Sequence, residues 1–324
     1  MYRMLFFLVV GLFSAVLAQA QEPRISVHDP VMIRENGVFY IFATGQGISV
    51  WSSTDMQHWK REKRVFDRAP EWAVEAVPGF RGHIWAPDIS WVDGRYYLYY
   101  SVSTFGKNGS CIGLATNATL DANAPEYKWI DHGMVIRSVP GEHNWNAIDP
   151  NLILDTEGKP WLSFGSFWDG LKLLPLQADL KSVPPGEIPI TIASRLADTD
   201  KGANPIEAPF IVYRAPYYYL FASIDYCCKG VESTYKMIVG RSRSLTGPYV
   251  DDVGRDLRTG GGRLLMEGDV NWHGVGHNAV VNVDSVDYLL FHAYDAADNG
   301  RSKLRIVELE WTEDAWPFPA TFIY

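Results

Sequence analysis

Five short runs of aromatic and β-branched residues punctuate the chain, at Val38–Thr44, Tyr96–Val102, Pro160–Ser166, Tyr217–Ser223 and Tyr288–Tyr294. Each is brief and apolar, which predicts strands rather than helices. Turn signals stand just before four of them, at Asn36-Gly37, Asp93-Gly94, Glu157-Gly158 and Ala215-Pro216, where a hairpin would reverse the chain. A further strand is predicted after each run, at Gly47–Ser52, Ile112–Thr116, Leu171–Leu176, Met237–Arg241 and Leu304–Leu309. Taken from Phe39 through Tyr96, Trp161, Tyr218 and Tyr288, the steps are 57, 65, 57 and 70 residues, enough for four strands and their turns. No amphipathic segment of about ten residues separates the strands, so a βα alternation is excluded. The expected fold is all-β, a single five-bladed β-propeller over residues 21–324.

A polar residue in an apolar, Pro- or Gly-containing setting precedes each run: Asp29, Asp88, Asp149, Glu207 and His277. They lie 10, 8, 12, 11 and 11 residues before their markers. This regularity predicts that all five stand at one end of the innermost strand of successive blades and converge on the propeller axis. A single acid beside a proline reads equally well as a turn residue, but five at one register do not. Carboxylates crowded on an apolar axis repel one another and lose water, which drives at least one pKa upward. One protonated and one ionised carboxyl are what glycosidic hydrolysis uses. Asp88, following Pro87, suits a structural role better than a catalytic one.

Composition narrows the function further. The chain has 324 residues, 47% of them hydrophobic, which excludes disorder and coiled coil. Net charge is −9 and no basic cluster is denser than Lys60–Arg64, so a nucleic-acid footprint is missing. Met1–Ala20 carries Arg3, an apolar run from Leu5 to Ala18 and an Ala18-Gln19-Ala20 site, the pattern of a secretory signal peptide. A secreted or periplasmic protein without a membrane anchor is expected. Three cysteines, Cys111 and the adjacent Cys227-Cys228, then leave one thiol unpaired. Buried apolar thiols are the expected arrangement, with a strained vicinal disulfide as the alternative. No spacing suggests a zinc site.

His28-Asp29-Pro30, Trp85-Ala-Pro-Asp88, Ala147-Ile-Asp149-Pro150, Ile206-Glu207-Ala-Pro209, the segment Gly240–Tyr249 and Gly276-His-Asn278 occur in this order. Together they resemble family 43 of the glycoside hydrolases, five-bladed propellers that invert the anomeric centre, and most closely its endo-1,5-α-L-arabinanases. The resemblance implies Asp29 as general base, Glu207 as general acid and Asp149 as modulator of the acid's pKa, with a basic neighbour holding Asp29 ionised. Inversion implies a gap of roughly 6.5–9.5 Å between base and acid. The resemblance also implies a metal, calcium, at His277, although one imidazole could only complete a shell made mostly of waters. Sugar contact is implied at Asp29, Trp85 and Phe105, along Asn146, Ala147, Ile148 and Asp149, and along Ser166, Phe167 and Trp168. Gly113 would admit backbone close to ligand, or serve packing alone. An exo-acting arabinanase, an arabinofuranosidase or xylosidase of the same fold, and a non-catalytic sugar-binding propeller are the competing readings. A binding propeller would need no paired acid and base.

Overall fold

A computed structural model describes residues 24–196 and 203–324; the predicted signal segment Met1–Ala20 lies outside them. The described chain forms five antiparallel sheets arranged as propeller blades, with one short α-helix, Glu71–Ala76. The innermost strands are Val31–Glu35, His83–Val92, Asn151–Leu154, Ile206–Arg214 and Trp272–Val283. The five apolar runs are the second strands, Val38–Ala43, Arg95–Val102, Pro160–Phe164, Tyr217–Ile224 and Val286–Asp295, and the strands predicted after them are the third. Second strands are buried almost end to end, as in Tyr217–Ile224, because a neighbouring blade covers each face. They therefore read as continuous apolar runs rather than as alternating ones.

Five apolar clusters fill the five clefts between blades. Phe42 packs with Leu98 and Tyr100, Tyr99 with Ile112 and Phe164, Leu173 with Ile211 and Leu220, and Tyr219 with Leu289 and Phe291. The fifth cluster joins Met32 and Ile41 of the first blade to Leu290 and Ile306 of the last and so closes the ring. Each fully buried Leu or Phe contributes about 1.5–3 kcal/mol, which makes the blade interfaces the main source of stability. Backbone bonds reinforce the closure: Leu304 N–H donates to the Ile25 carbonyl at 3.1 Å, and Ile25 N–H to the Tyr324 hydroxyl at 2.9 Å. Among the described residues, no helix is long and apolar enough to cross a membrane.

The residues that open the inner strands share one conformation. Asp29, Ala86, Asp149, Ala208 and His277 all have positive φ, between 42° and 58°. This left-handed geometry costs an L-residue about 1–2 kcal/mol, and a ring of hydrogen bonds between blades holds it. Ala86 N–H donates to Thr44 Oγ1, Asp149 N–H to Ser101 Oγ and His277 N–H to Ser223 Oγ, while Ala208 N–H donates to Asp149 Oδ2 and Asp29 N–H to His292 Nδ1. The expected register is thus corrected at two blades. Ala86 and Ala208 occupy the equivalent position, with Asp88 two residues beyond it and Glu207 one residue before. A bulge falls at the shared position in both blades, between Trp85 and Asp88 and between Glu207 and Phe210, as it does at His277, between Gly276 and Ala279.

Candidate active site

Asp29 sits at the hub, 8% exposed, among three imidazoles. Its Oδ1 lies 2.7 Å from His28 Nδ1, 3.1 Å from His277 Nδ1 and 3.5 Å from His292 Nδ1, while Thr44 Oγ1 donates to Oδ2 at 2.5 Å. Burial alone would push the carboxyl upward, but His277 and His28, with His292 behind them, outweigh it and hold Asp29 well below the usual range. These are the basic neighbours the sequence left unnamed. His28 is raised in turn: burial opposes its charge, and the Asp29 carboxylate overcomes that. His292, stacked on His28 at 3.8 Å, is driven well below its ordinary value by burial. It accepts the Asp29 backbone N–H at Nδ1.

Asp149 behaves in the opposite way. Asp149, 6% exposed, is pushed well above the ordinary carboxyl value by burial and then by the charges of Glu207 and Asp29. The three carboxyls therefore meet at one place. Glu207 is half-buried at the head of the fourth inner strand, where Ser166 Oγ donates to its Oε2 at 2.7 Å. Tyr235 closes the floor beside it. Its buried hydroxyl is driven well above the phenol range by burial and by Glu207 and Asp149. Its ring lies where a Cβ on Gly276 would fall, 2.1 Å from a ring carbon, so position 276 has to be glycine.

The remaining sequence-predicted residues divide. Trp85 is half-exposed, its indole N–H donating to His83 Nδ1 at 3.0 Å, and Phe105 stands 80% exposed on the loop after strand Arg95–Val102. Asn146, Ala147 and Ile148 form the buried lead-in to Asp149, and the Oδ1 of Asn146 is buried without a hydrogen-bond partner. Ser166 binds Glu207, and the half-buried Phe167 and Trp168 follow it, both with positive φ; the Phe167 ring meets Tyr226 at 5.9 Å. Gly113 is buried between Tyr100 and Trp72, where a Cβ would come within 2.5 Å of the Tyr100 ring, so packing accounts for this glycine. Asp88 accepts the Leu152 N–H at 2.8 Å and ties blade two to blade three; burial raises it to about 7. Cys111 is a buried thiol, as expected, whereas Cys227 and Cys228 are joined as a disulfide, because their turn lies at the solvent-facing rim rather than in the core. Thr44, Tyr235, His292 and Tyr294 were missed. The signal for the last two was a histidine and a tyrosine two residues apart in the apolar strand Leu289–Tyr294, which places them on one face.

One side of this hub can accept a proton from water while the other can deliver one to a departing oxygen, so fold and site together define a glycoside hydrolase. Comparison with known proteins supplies the family. Residues 23–317 match glycosyl hydrolases family 43, and the chain belongs to it. It is 49% identical to the extracellular exo-α-(1→5)-L-arabinofuranosidase of Cellvibrio japonicus, over 95% of this chain and 90% of that protein. To the extracellular endo-α-(1→5)-L-arabinanase 1 of Bacillus subtilis it is 43% identical, over 90% of this chain and 87% of that one. Among solved structures, the α-L-arabinanase of Cellvibrio cellulosa complexed with arabinohexaose superposes with a TM-score of 0.88 at 48% identity, covering 92% of this chain and 96% of that chain.

Proposed function

We propose that the protein is a secreted, inverting hydrolase of arabinan that cuts α-1,5-L-arabinofuranosidic bonds, with residues 21–324 as one catalytic domain. The observation that carries this reading is the opposed electrostatics of the acids: Asp29 is held well below the usual range among His28, His277 and His292, while burial and the charge of Glu207 push Asp149 upward, which favours one proton shared by the Asp149–Glu207 pair. In this mechanism Asp29 takes a proton from the water that attacks the anomeric carbon. Glu207 gives its proton to the leaving glycosidic oxygen, and Asp149 supplies the like charge that keeps a proton on the pair. Trp85, Phe105, Phe167 and Trp168 offer ring faces to the sugars, and the segment Asn146–Asp149 offers polar atoms. The names of the relatives support arabinan as substrate, and their description as extracellular, with the pattern of Met1–Ala20, supports secretion.

Cleavage within the chain is the mode the sequence suggests. A second mode, release from a chain end, is favoured by the greater identity to the exo-acting relative, 49% against 43%. Incubation with linear debranched arabinan separates them. Internal cleavage gives a ladder of oligomers and an early fall in viscosity, and chain-end action gives one short product at nearly constant viscosity. No hydrolysis of that polymer would refute the arabinan reading itself.

Asp149→Asn removes the charge that keeps a proton on the Asp149–Glu207 pair. Turnover falls about 10²-fold, and the alkaline limb of the pH–rate profile, set by the last proton the two groups share, moves to lower pH. An unchanged limb and rate would take Asp149 out of the mechanism.

The metal expectation attaches to a small cavity on the axis beneath the site, about 10 Å³, lined by Asp88, Asp149, His277 and Asn278. The donor set fits a hard cation: carboxylate oxygens, an imidazole and the Asn278 amide, whose buried polar atoms have no hydrogen-bond partner. The ligand atoms of Asp88, Asp149 and His277 are not all within 4.8 Å of one another, so they would not close on one ion together; His277 would hold the cation, with waters completing most of its shell. Bound there, calcium would supply positive charge beneath the carboxyls. His277 already has a second role as a neighbour of Asp29. Elemental analysis of protein purified without added metal should find about one equivalent of calcium, and a chelator should lower Tm. A metal-free protein with unchanged Tm in chelator would remove the ion from the proposal.

A further inference from the structure

We propose that the turn closed by the Cys227–Cys228 disulfide is a positioning element for Asp29, acting through Tyr294 and His28, and that hydrolysis is fast only while the disulfide is intact. The inference rests on the reading of Asp29 as the base.

The turn follows strand Tyr217–Ile224 at the active-site end of blade four. Cys228 has φ +69°, a left-handed conformation unfavourable for an L-residue, and its bond to Cys227 holds it there. In that conformation its backbone N–H donates to Tyr294 Oη at 2.8 Å. Tyr294 Oη lies 2.8 Å from His28 Nε2, and His28 Nδ1 lies 2.7 Å from Asp29 Oδ1. With its oxygen fixed by the Cys228 N–H, the tyrosine meets the imidazole at Nε2 and leaves Nδ1 facing the base. A backbone amide fixed by the disulfide thus sets the orientation of the imidazole that faces Asp29. The disulfide stands beside the ring: Cys228 Sγ is 3.9 Å from His28 Nε2, and both sulfurs and the imidazole nitrogen lie within 4.8 Å of one another. The rest of the turn is stiff on its own account, with Ser233 N–H bonded to Gly230 O and Lys229 N–H to Ser233 Oγ, both at 3.0 Å. A bridge between adjacent residues closes no length of chain, so the usual gain from restricting the unfolded state is missing. Placement of Cys228 is what the bond supplies.

Reduction breaks the S–S bond, and each sulfur takes one proton. The two electrons come from the reductant; with tris(2-carboxyethyl)phosphine, the phosphorus leaves as phosphine oxide carrying an oxygen from water. Cys228 then relaxes out of the left-handed region, its N–H leaves Tyr294, and His28 is free to turn away from Asp29.

The test measures kcat and KM on debranched arabinan for the wild type, the double variant Cys227→Ser/Cys228→Ser and Tyr294→Phe, each before and after the phosphine. Thiol titration of the folded protein confirms that two sulfhydryls appear, Cys111 being buried, and circular dichroism gives the folded fraction. We expect reduction, the double serine variant and Tyr294→Phe each to lower kcat about tenfold with KM within about twofold. Reducing Tyr294→Phe should add nothing, because disulfide and tyrosine act in one chain of contacts. Full kcat in the folded double serine variant would overturn the proposal. So would a raised KM at constant kcat, which would make the turn a sugar contact, or a second tenfold loss on reducing Tyr294→Phe. Asp29→Asn, assayed alongside, keeps the two readings apart. If it is fully active, the base assignment falls. If it is inactive while the double serine variant is fully active, only the role of the disulfide falls.

Discussion

Glu207→Ala loses turnover of arabinan on the order of 10³-fold, the scale of a general acid's contribution, while oligosaccharide binding survives. The side chain sits beside Ser166, Asp149 and Tyr235 and contributes no core packing, so its removal leaves the blade interfaces intact and relieves repulsion with Asp149. Tm should hold or rise. The loss also depends on the leaving group. An arabino-oligosaccharide carrying a nitrophenyl group, which departs without a proton, should be cleaved by the variant at close to the wild-type rate. A variant equally slow on both substrates would assign Glu207 to positioning, and full activity on arabinan would end its role as acid.

Asp29→Asn has an effect of similar size for a different reason. With no carboxylate to take its proton, water remains a poor nucleophile, and kcat falls about 10³-fold whatever the leaving group. The same substitution changes stability with pH. His28 has a folded pKa raised above its unfolded value of about 6.5, so its contribution is complete below that pH and is lost as pH rises through the folded value. Asp29 has a lowered folded pKa, so its contribution is present above about 4 and is lost as pH falls through the folded value. The pair is therefore worth most between about pH 4 and 6.5. Asp29→Asn should cost more in Tm at pH 5 than at pH 8. Equal deficits at both would mean that His28 and Asp29 do not form an ion pair.

The fold was legible where both faces of a strand are covered. Second strands such as Tyr217–Ile224 carry unbroken apolar runs because neighbouring blades bury both sides. The outer strands were not legible. Lys60–Arg61 and Ile130–Ser138 lie at blade edges, largely exposed, with no pattern to distinguish them from loop. Ring closure was hidden as well, since it depends on Met32 and Ile41 meeting Leu290 and Ile306 from the far end of the chain. Within the site, Asp29, Asp149 and His277 could be found by spacing because they share one backbone position. Glu207 and Asp88 fell near the same count but off that position, since a spacing that itself varies from 8 to 12 residues cannot resolve a shift of one or two. The imidazoles around Asp29 come from sequence positions 28, 277 and 292, and only His28 is its neighbour in the chain.

The proposed placement of a water between Asp29 and the sugar, with Glu207 on the opposite side, has one direct chemical readout. Following the anomeric proton of the newly formed reducing end by NMR during the first minutes of arabinan hydrolysis, before mutarotation mixes the forms, should show the β-anomer appearing first from the α-linked chain. Initial appearance of the α-anomer would mean that a carboxylate attacks the sugar itself, and the assignment of Asp29 as base to a water would be wrong.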